Sequence, residues 1–230
     1  MARRKNEWPT PPSLSPELPL EVNPRLTAGD ELDGITIQGD YSDALLDGLA
    51  VEEAHIVRTS FIAADLSRLR LVDVVVEATD FSGADMEEAS FTRVTFKGCR
   101  MSGARLPRTQ FRDVTFSEVR LDDGNFRMST GERVLFDHVN LERGDFYSAD
   151  MTGTRFFDCD LRRADLTKAR LSGTHFHGSV LLDLKGCEDL RNVVIDSSQV
   201  LPLASGVFAG LNIRVEDERD APNPKDGPRQ

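Results

Sequence analysis

Residues 91–116 read FTRVTFKGCRMSGARLPRTQFRDVTF, and a large apolar side chain falls on every fifth position: Phe91, Phe96, Met101, Leu106, Phe111 and Phe116. Outward from this stretch the spacing holds without a slip from Tyr41 to Leu181, and of those 29 positions only Gly131 is not large and apolar. A helix asks for apolar residues at i, i+3, i+4 and i+7, and a simple strand asks for alternation, so a strict spacing of five matches neither. A short fixed period held this long marks a repeat architecture.

A second column stands two residues before the first. At Gly39, Ala44, Ala54, Thr59 and onward to Ser179, 27 of the 29 residues are Gly, Ala, Ser, Thr, Cys or Val, the exceptions being Leu49 and Leu69. Along extended backbone residues i and i−2 point the same way. Each quintet therefore turns one large and one small side chain inward. Between Asp40 and Asp183 there are 25 acidic and 18 basic residues, and none occupies either column, which places every charge on the solvated outside.

Ala64-Asp65-Leu66, Ala84-Asp85-Met86, Ala149-Asp150-Met151 and Ala164-Asp165-Leu166, with looser copies at Gly124-Asn125-Phe126 and Gly144-Asp145-Phe146, resemble the A-(D/N)-L-x-x signature of pentapeptide-repeat proteins. The resemblance covers about three fifths of the chain. It implies an all-β fold, a right-handed quadrilateral parallel β-helix of about seven coils, in which four quintets make the sides of one 20-residue coil.

A period of 20 is also written in the residues themselves. One column runs Ile56, Val76, Phe96, Phe116, Phe136, Phe156, Phe176, stacking five phenylalanines. On the surface Asp73 and Arg93, Glu77 and Lys97, Asp80 and Arg100, Asp85 and Arg105, and Glu88 and Arg108 are opposite charges 20 apart. Opposite charges across a ladder stabilise it by roughly 0.2–1 kcal/mol. Seven coils at about 4.8 Å give a rod roughly 34 Å long.

Residues 1–30, with Trp8-Pro9-Thr10-Pro11-Pro12 and Pro16, Pro19 and Pro24, read as a disordered proline-rich segment. Residues 31–195 read as the β-helix, opened by a strand from Leu32 to Gly39 in which Ile35 and Ile37 alternate and cover the first coil. Residues 196–215 read as a C-terminal capping element, preceded by a short strand from Val193 to Ile195. Asp196, Ser197 or Ser198 caps a helix carrying Val200, Leu201, Ala204, Val207, Phe208 and Leu211, with Pro202 in its first turn and Gly210 as its stop. Residues 216–230 read as a disordered acidic tail. The resemblance implies a homodimer formed through that helix; a monomeric cap folded on the last coil suits the residues equally.

There is no apolar run long enough to cross a membrane and no apolar stretch after the basic Met1-Ala2-Arg3-Arg4-Lys5 that would make a secretory signal. The expected compartment is the bacterial cytoplasm. Of the three cysteines, Cys99 and Cys159 sit in the small column as buried apolar groups, and Cys187 follows the repeat. No phosphate loop, nucleophile elbow or zinc-ligand spacing is present, so the chain reads as a non-enzyme with no catalytic, cofactor or metal residues. His55, His138, His175 and His177 map to one side of the rod, and His175 and His177 flank Phe176 one coil above Asp158. That trio could share a metal, although unconnected surface histidines are the simpler reading. At Gly131 the chain either bulges through Met128 to Gly131 or is filled by neighbouring phenylalanines.

Members of the resembled family imitate duplex DNA, occupy the DNA-binding saddle of DNA gyrase and affect fluoroquinolone sensitivity; a sequence pI of about 4.9 suits that role. Charge density argues against it. B-DNA carries about one negative charge per 1.7 Å, so a rod of this length wants roughly 20, whereas 18 basic and 25 acidic residues net −7 over residues 40–183. From Ala89 to Arg112 there are six basic residues and no acidic one. Mimicry needs a continuous negative field, and this surface is a mosaic. The leading reading is a scaffold or protein–protein interaction module, and the second is a DNA-mimicking binder of type II topoisomerase. Neither direct nucleic-acid binding nor membrane association is expected.

Overall fold

The computed structural model describes residues 8–213. Among the described residues nine strands precede one α-helix: β1 Leu20–Val22, β2 Glu31–Asp33, β3 Thr36–Gln38, β4 Ala50–Val57, β5 Arg70–Glu77, β6 Ser90–Lys97, β7 Gln110–Ser117, β8 Thr130–Asp137, β9 Arg155–Phe157 and α1 Val200–Gly210. From β4 to β9 each strand pairs in parallel with the next at a register of 20, as in Val51 with Leu71 and Phe91 with Phe111. The remaining sides of each coil are joined by single parallel bridges at the same interval, such as Asp65 with Asp85 and Arg105 with Asn125. The chain is therefore a right-handed quadrilateral parallel β-helix of about seven coils. Among the described residues no helix is long and apolar enough to cross a membrane.

The corners explain why five residues suffice for one side. Every fifth residue from Asp43 to Asp183 has a positive φ, and only seven of those positions are glycine. A left-handed non-glycine residue costs of order 1–3 kcal/mol and persists where its surroundings over-determine it. Here the backbone does so. Asp43, Ala63 and Arg68, for example, donate their N–H groups to the carbonyls of Ile62, Ser82 and Glu87 on the next coil.

The acidic residue of the signature also has a local task. Oδ1 of Asp65 accepts the Ser67 N–H at 3.0 Å, and the arrangement recurs from Asp80 to Ser82, Asp145 to Tyr147 and Asp165 to Thr167. These Asx turns present a side-chain acceptor to a corner N–H. The reading that every charge is merely solvated is thus corrected. Asp73, Asp113 and Arg155 are in fact buried.

Inside, the predicted column is a stack of rings. Phe96, Phe116, Phe136, Phe156 and Phe176 lie 4.9, 4.8, 4.8 and 5.1 Å apart with interplanar angles of 8° or less. The ring separation is the strand separation. Phe126 and Phe146 form a second parallel pair at 4.7 Å. Gly131 causes no bulge: it stays in register opposite Phe111. Met151 Sδ and Val134 Cγ2 fill the space, 3.0 and 3.1 Å from where a β-carbon would stand.

Both ends are closed. At the N-terminal end β2 and β3 are separated at Gly34, both pair with β4, and Ile35 and Ile37 point inward as expected. At the C-terminal end Val194 makes one bridge to His175 where a strand from Val193 to Ile195 was expected. Two 3-10 turns, Cys187–Asp189 and Ser197–Gln199, lead into α1, and Asp196 with Gln199 forms a capping box. The Gln199 amide donates to the carbonyls of Phe176 and Ser179 at 2.5 and 2.6 Å, taking the place of a further coil.

The largest departure from the sequence reading is the proline-rich segment. Residues 8–30 are not a free tail; they lie along the outside of the rod, and β1 pairs in parallel with β3 through Leu20 opposite Thr36. Residues 1–7 of that segment, and the tail expected over 216–230, lie outside the described residues.

Phe136 is fully buried between two rings. Phe136→Ala is expected to cost about 3–5 kcal/mol, read from a denaturant midpoint. Phe136→Asp should yield no folded protein because it places an unpaired charge inside the stack. A Phe136→Asp protein with an unchanged midpoint would overturn the core assignment.

Candidate interaction surface

Four of the five charge pairs anticipated at a separation of 20 form. Arg93 forks Asp73, and Lys97 meets Glu77 at 3.9 Å, Arg105 meets Asp85 at 3.0 Å and Arg108 meets Glu88 at 3.1 Å. Asp80 instead turns its carboxylate to the Ser82 N–H and hydroxyl. Further pairs at the same interval join Asp113 to Arg133, Asp123 to Arg143 and Asp150 to Arg170. Charge on this surface is largely neutralised from coil to coil.

One corner column carries more than such pairs. Glu53, Asp73, Arg93, Asp113 and Arg133 stack at intervals of one coil, all with positive φ. Oδ1 of Asp73 accepts the Arg93 Nε–H at 2.6 Å and the Ser13 backbone N–H at 3.0 Å. Two coils on, Oδ1 of Asp113 accepts the Arg133 Nε–H at 2.7 Å and the Thr10 N–H at 2.9 Å. The same acceptor unit is thus built twice. Below it the Ser15 hydroxyl reaches Glu53 at 3.4 Å. Above it the Trp8 ring meets the edge of Phe157 at 6.0 Å and receives the Arg155 guanidinium at 4.7 Å.

The Arg93 fork and the Ser13 N–H, against a burial penalty, hold the Asp73 carboxyl below its ordinary value. At Asp113 burial opposes the charge, but the Arg133 fork and the Thr10 N–H outweigh it and the carboxyl is again depressed. Cys99 and Cys159 are buried in the core as expected, and burial pushes their thiols up, to about 11 and about 12.

The histidine side is arranged differently from the expected trio. Asp158 Oδ2 stands 4.0 Å from His138 Nε2, whose Nδ1 is 2.9 Å from Asp137, while His175 stacks on His177 with ring centres 5.6 Å apart. His177 turns to Asp196 at 3.8 Å. The hydrogen bond that the His138 ring donates to Asp137 raises the His138 pKa. His55 lies near Glu77, far down the rod.

Helix α1 docks by a residue missing from the expected stripe. Leu203 is its buried side chain, Val207 packs partly on the core, and Gly206 sits so near Cys187 that a β-carbon would stand 2.7 Å from Sγ. Val200, Leu201, Phe208 and Leu211 face outward, Leu201 being 83% exposed, and Ala204 is half-buried. Elsewhere the surface grooves are shallow. One of about 420 Å³ is lined by Arg143, Arg163, Lys185, Asp145, Asp165 and Asp183, three cations facing three anions.

With the segment undocked each column Asp keeps its arginine fork, and the Ser13 and Thr10 N–H groups lower its pKa further on docking. The contribution of these carboxylates to docking is therefore present throughout the neutral range and is lost only as pH falls through the depressed values. Emission from Trp8, the single tryptophan, should stay constant from about pH 8 to 5 and shift to the red below about pH 4. A shift confined to pH 7–5 would point to histidine instead.

Two family profiles match. One, described as a pentapeptide repeat region, covers residues 89–165, and the other, pentapeptide repeats of eight copies, covers 59–98, 70–106 and 159–183. No curated protein sequence matches the chain. Among solved structures, QnrB1, a plasmid-mediated fluoroquinolone resistance protein, in a trypsin-treated variant form, is 19% identical with a TM-score of 0.39, covering 86% of this chain and 98% of that one. HetL, a pentapeptide repeat protein involved in heterocyst differentiation regulation in the cyanobacterium Nostoc sp. strain PCC 7120, is 18% identical with a TM-score of 0.32, covering 75% and 90%. A pentapeptide repeat protein of the Arabidopsis thaliana thylakoid lumen is 14% identical with a TM-score of 0.26, covering 56% and 84%. With the five-residue register, the four-sided coil and profiles that together run from residue 59 to 183, the chain belongs to the pentapeptide-repeat family.

Proposed function

We propose that this protein is a non-enzymatic scaffold, a cytoplasmic protein–protein interaction module whose rigid rod presents fixed columns of side chains to a partner. The observation that carries the reading is the coil-to-coil pairing of surface charge, from Asp73 with Arg93 to Asp150 with Arg170. The exposed pairs among these contribute about 0–1 kcal/mol each, and the buried Asp73 and Asp113 are each forked by an arginine, so the pairs make no acid–base centre. The exposed apolar row Val200, Leu201, Phe208 and Leu211 suits a second copy of the chain, with Leu203 holding the helix to its own rod.

Occupation of the DNA saddle of gyrase or another type II topoisomerase is the second reading. The acidic pI supports it and the neutralised columns weigh against it, since a duplex-like field needs unpaired negative charge.

Affinity capture from native cells on the full-length protein should retrieve a specific protein partner, and retrieving none would remove the scaffold reading. Purified protein should leave gyrase supercoiling unaffected at low micromolar concentration; strong inhibition would put the topoisomerase reading first. Light scattering at tens of micromolar should give a dimer that Leu201→Lys converts to monomer. A wild-type monomer under those conditions would leave α1 as a cap only.

A further inference from the structure

We propose that the column Glu53–Asp73–Arg93–Asp113–Arg133 is a binding track for an extended, proline-rich peptide of another protein, and that the chain's own residues 8–15 occupy it in cis. The inference rests on the reading of the rod as an interaction module and names the chemistry of one partner.

The fit is one of spacing and of donors. Proline-rich backbone advances about 3.1 Å per residue, so three residues cover about 9.3 Å, and two coils at about 4.8 Å cover about 9.6 Å. Thr10 and Ser13, three residues apart, meet Asp113 and Asp73, two coils apart. Within Pro9-Thr10-Pro11-Pro12-Ser13 only Thr10 and Ser13 possess a backbone N–H, and each donates it to a column carboxylate. Residues 9–13 therefore carry no unmet backbone donor against the rod. The carboxylates are held for the purpose, because the Arg93 and Arg133 forks fix their planes and leave Oδ1 turned to the peptide. Arg155 and Phe157 add a place for an aromatic ring two residues before the first donor.

Nothing in these contacts depends on the peptide being attached to this chain. Recognition uses backbone N–H groups at a fixed interval, prolines between them and one aromatic side chain, a pattern that a segment of another protein can carry. Attachment supplies only a high effective concentration, which for a short tether is of millimolar order. The cis segment is thus a competitor that hides the track until a partner of the same pattern displaces it.

The test uses the full chain and a fluorescein-labelled peptide spanning residues 6–17, read by anisotropy. Thr10→Pro with Ser13→Pro removes both cis donors, keeps the extended backbone and leaves the track untouched. The labelled peptide should bind that variant at least about tenfold more tightly than wild type. Adding Asp73→Asn and Asp113→Asn should abolish the gain, with circular dichroism showing all three proteins folded. Equal binding to all three, no binding to the opened variant, or equal binding of a scrambled peptide overturns the track. If native partner capture still succeeds in that case, the interaction-module reading stands and only the track falls.

Discussion

Each residue of the rod rests on the residue 20 positions away, held there by backbone hydrogen bonds at the spacing of parallel strands. From that stacking the interior follows directly. A cross-section filled by four large and four small side chains must be filled again about 4.8 Å further on, so volume is conserved column by column. Parallel phenylalanine rings satisfy this with one side chain repeated. Where Gly131 removes a side chain, Met151 and Val134 supply the missing volume and the ladder keeps its register. Because each coil touches only its neighbours, the stack has no natural end, and it is finished by groups that imitate a coil: β1 on β3 at one end, the Gln199 amide at the other.

The same stacking governs the surface. Like charges also stack one coil apart, as in Asp65 over Asp85 and Arg100 over Arg120, but one corner column alternates from Asp73 through Arg93 and Asp113 to Arg133. Coil pairing therefore accounts for most of the basic belt between Ala89 and Arg112, in which Arg93, Lys97, Arg105 and Arg108 answer acids 20 residues before them and Arg112 answers Glu132, 20 residues after it. Charges employed in this way are poor carriers of a long-range field.

Much of the rod was legible in the sequence because its energetics are periodic. The large and small columns, the phenylalanine stack and four of five charge pairs all repeat at intervals that can be counted. What escaped was aperiodic or backbone-borne. The left-handed corners carry residues as different as Arg58, Ala63 and Met128, so no residue type announces them. The Asx turns were visible as aspartates, but their hydrogen bond to the second residue on was not. At α1 the spacing marked the apolar residues, yet the docked face is set by Leu203 and the close approach of Gly206 to Cys187, which only the path of the last coil determines. The proline-rich segment was misread because its ordering depends on acceptors 60 and 103 residues away.

A rod of equivalent coils offers a partner many similar columns, and specificity then has to come from where equivalence is broken. From Asp73 to Arg133 the corner column does this by alternating carboxylate and guanidinium at one-coil intervals, which sets Asp73 and Asp113 two coils apart as acceptors. Proline-rich backbone has a three-residue repeat of nearly the same length. A simple strand, at about 3.3 Å per residue with N–H groups turned alternately to opposite sides, would bring donors to the column every second residue and leave some of them facing arginine. Prolines remove those donors. The track thus selects composition as well as extension, with a device no larger than an arginine-braced aspartate repeated two coils apart.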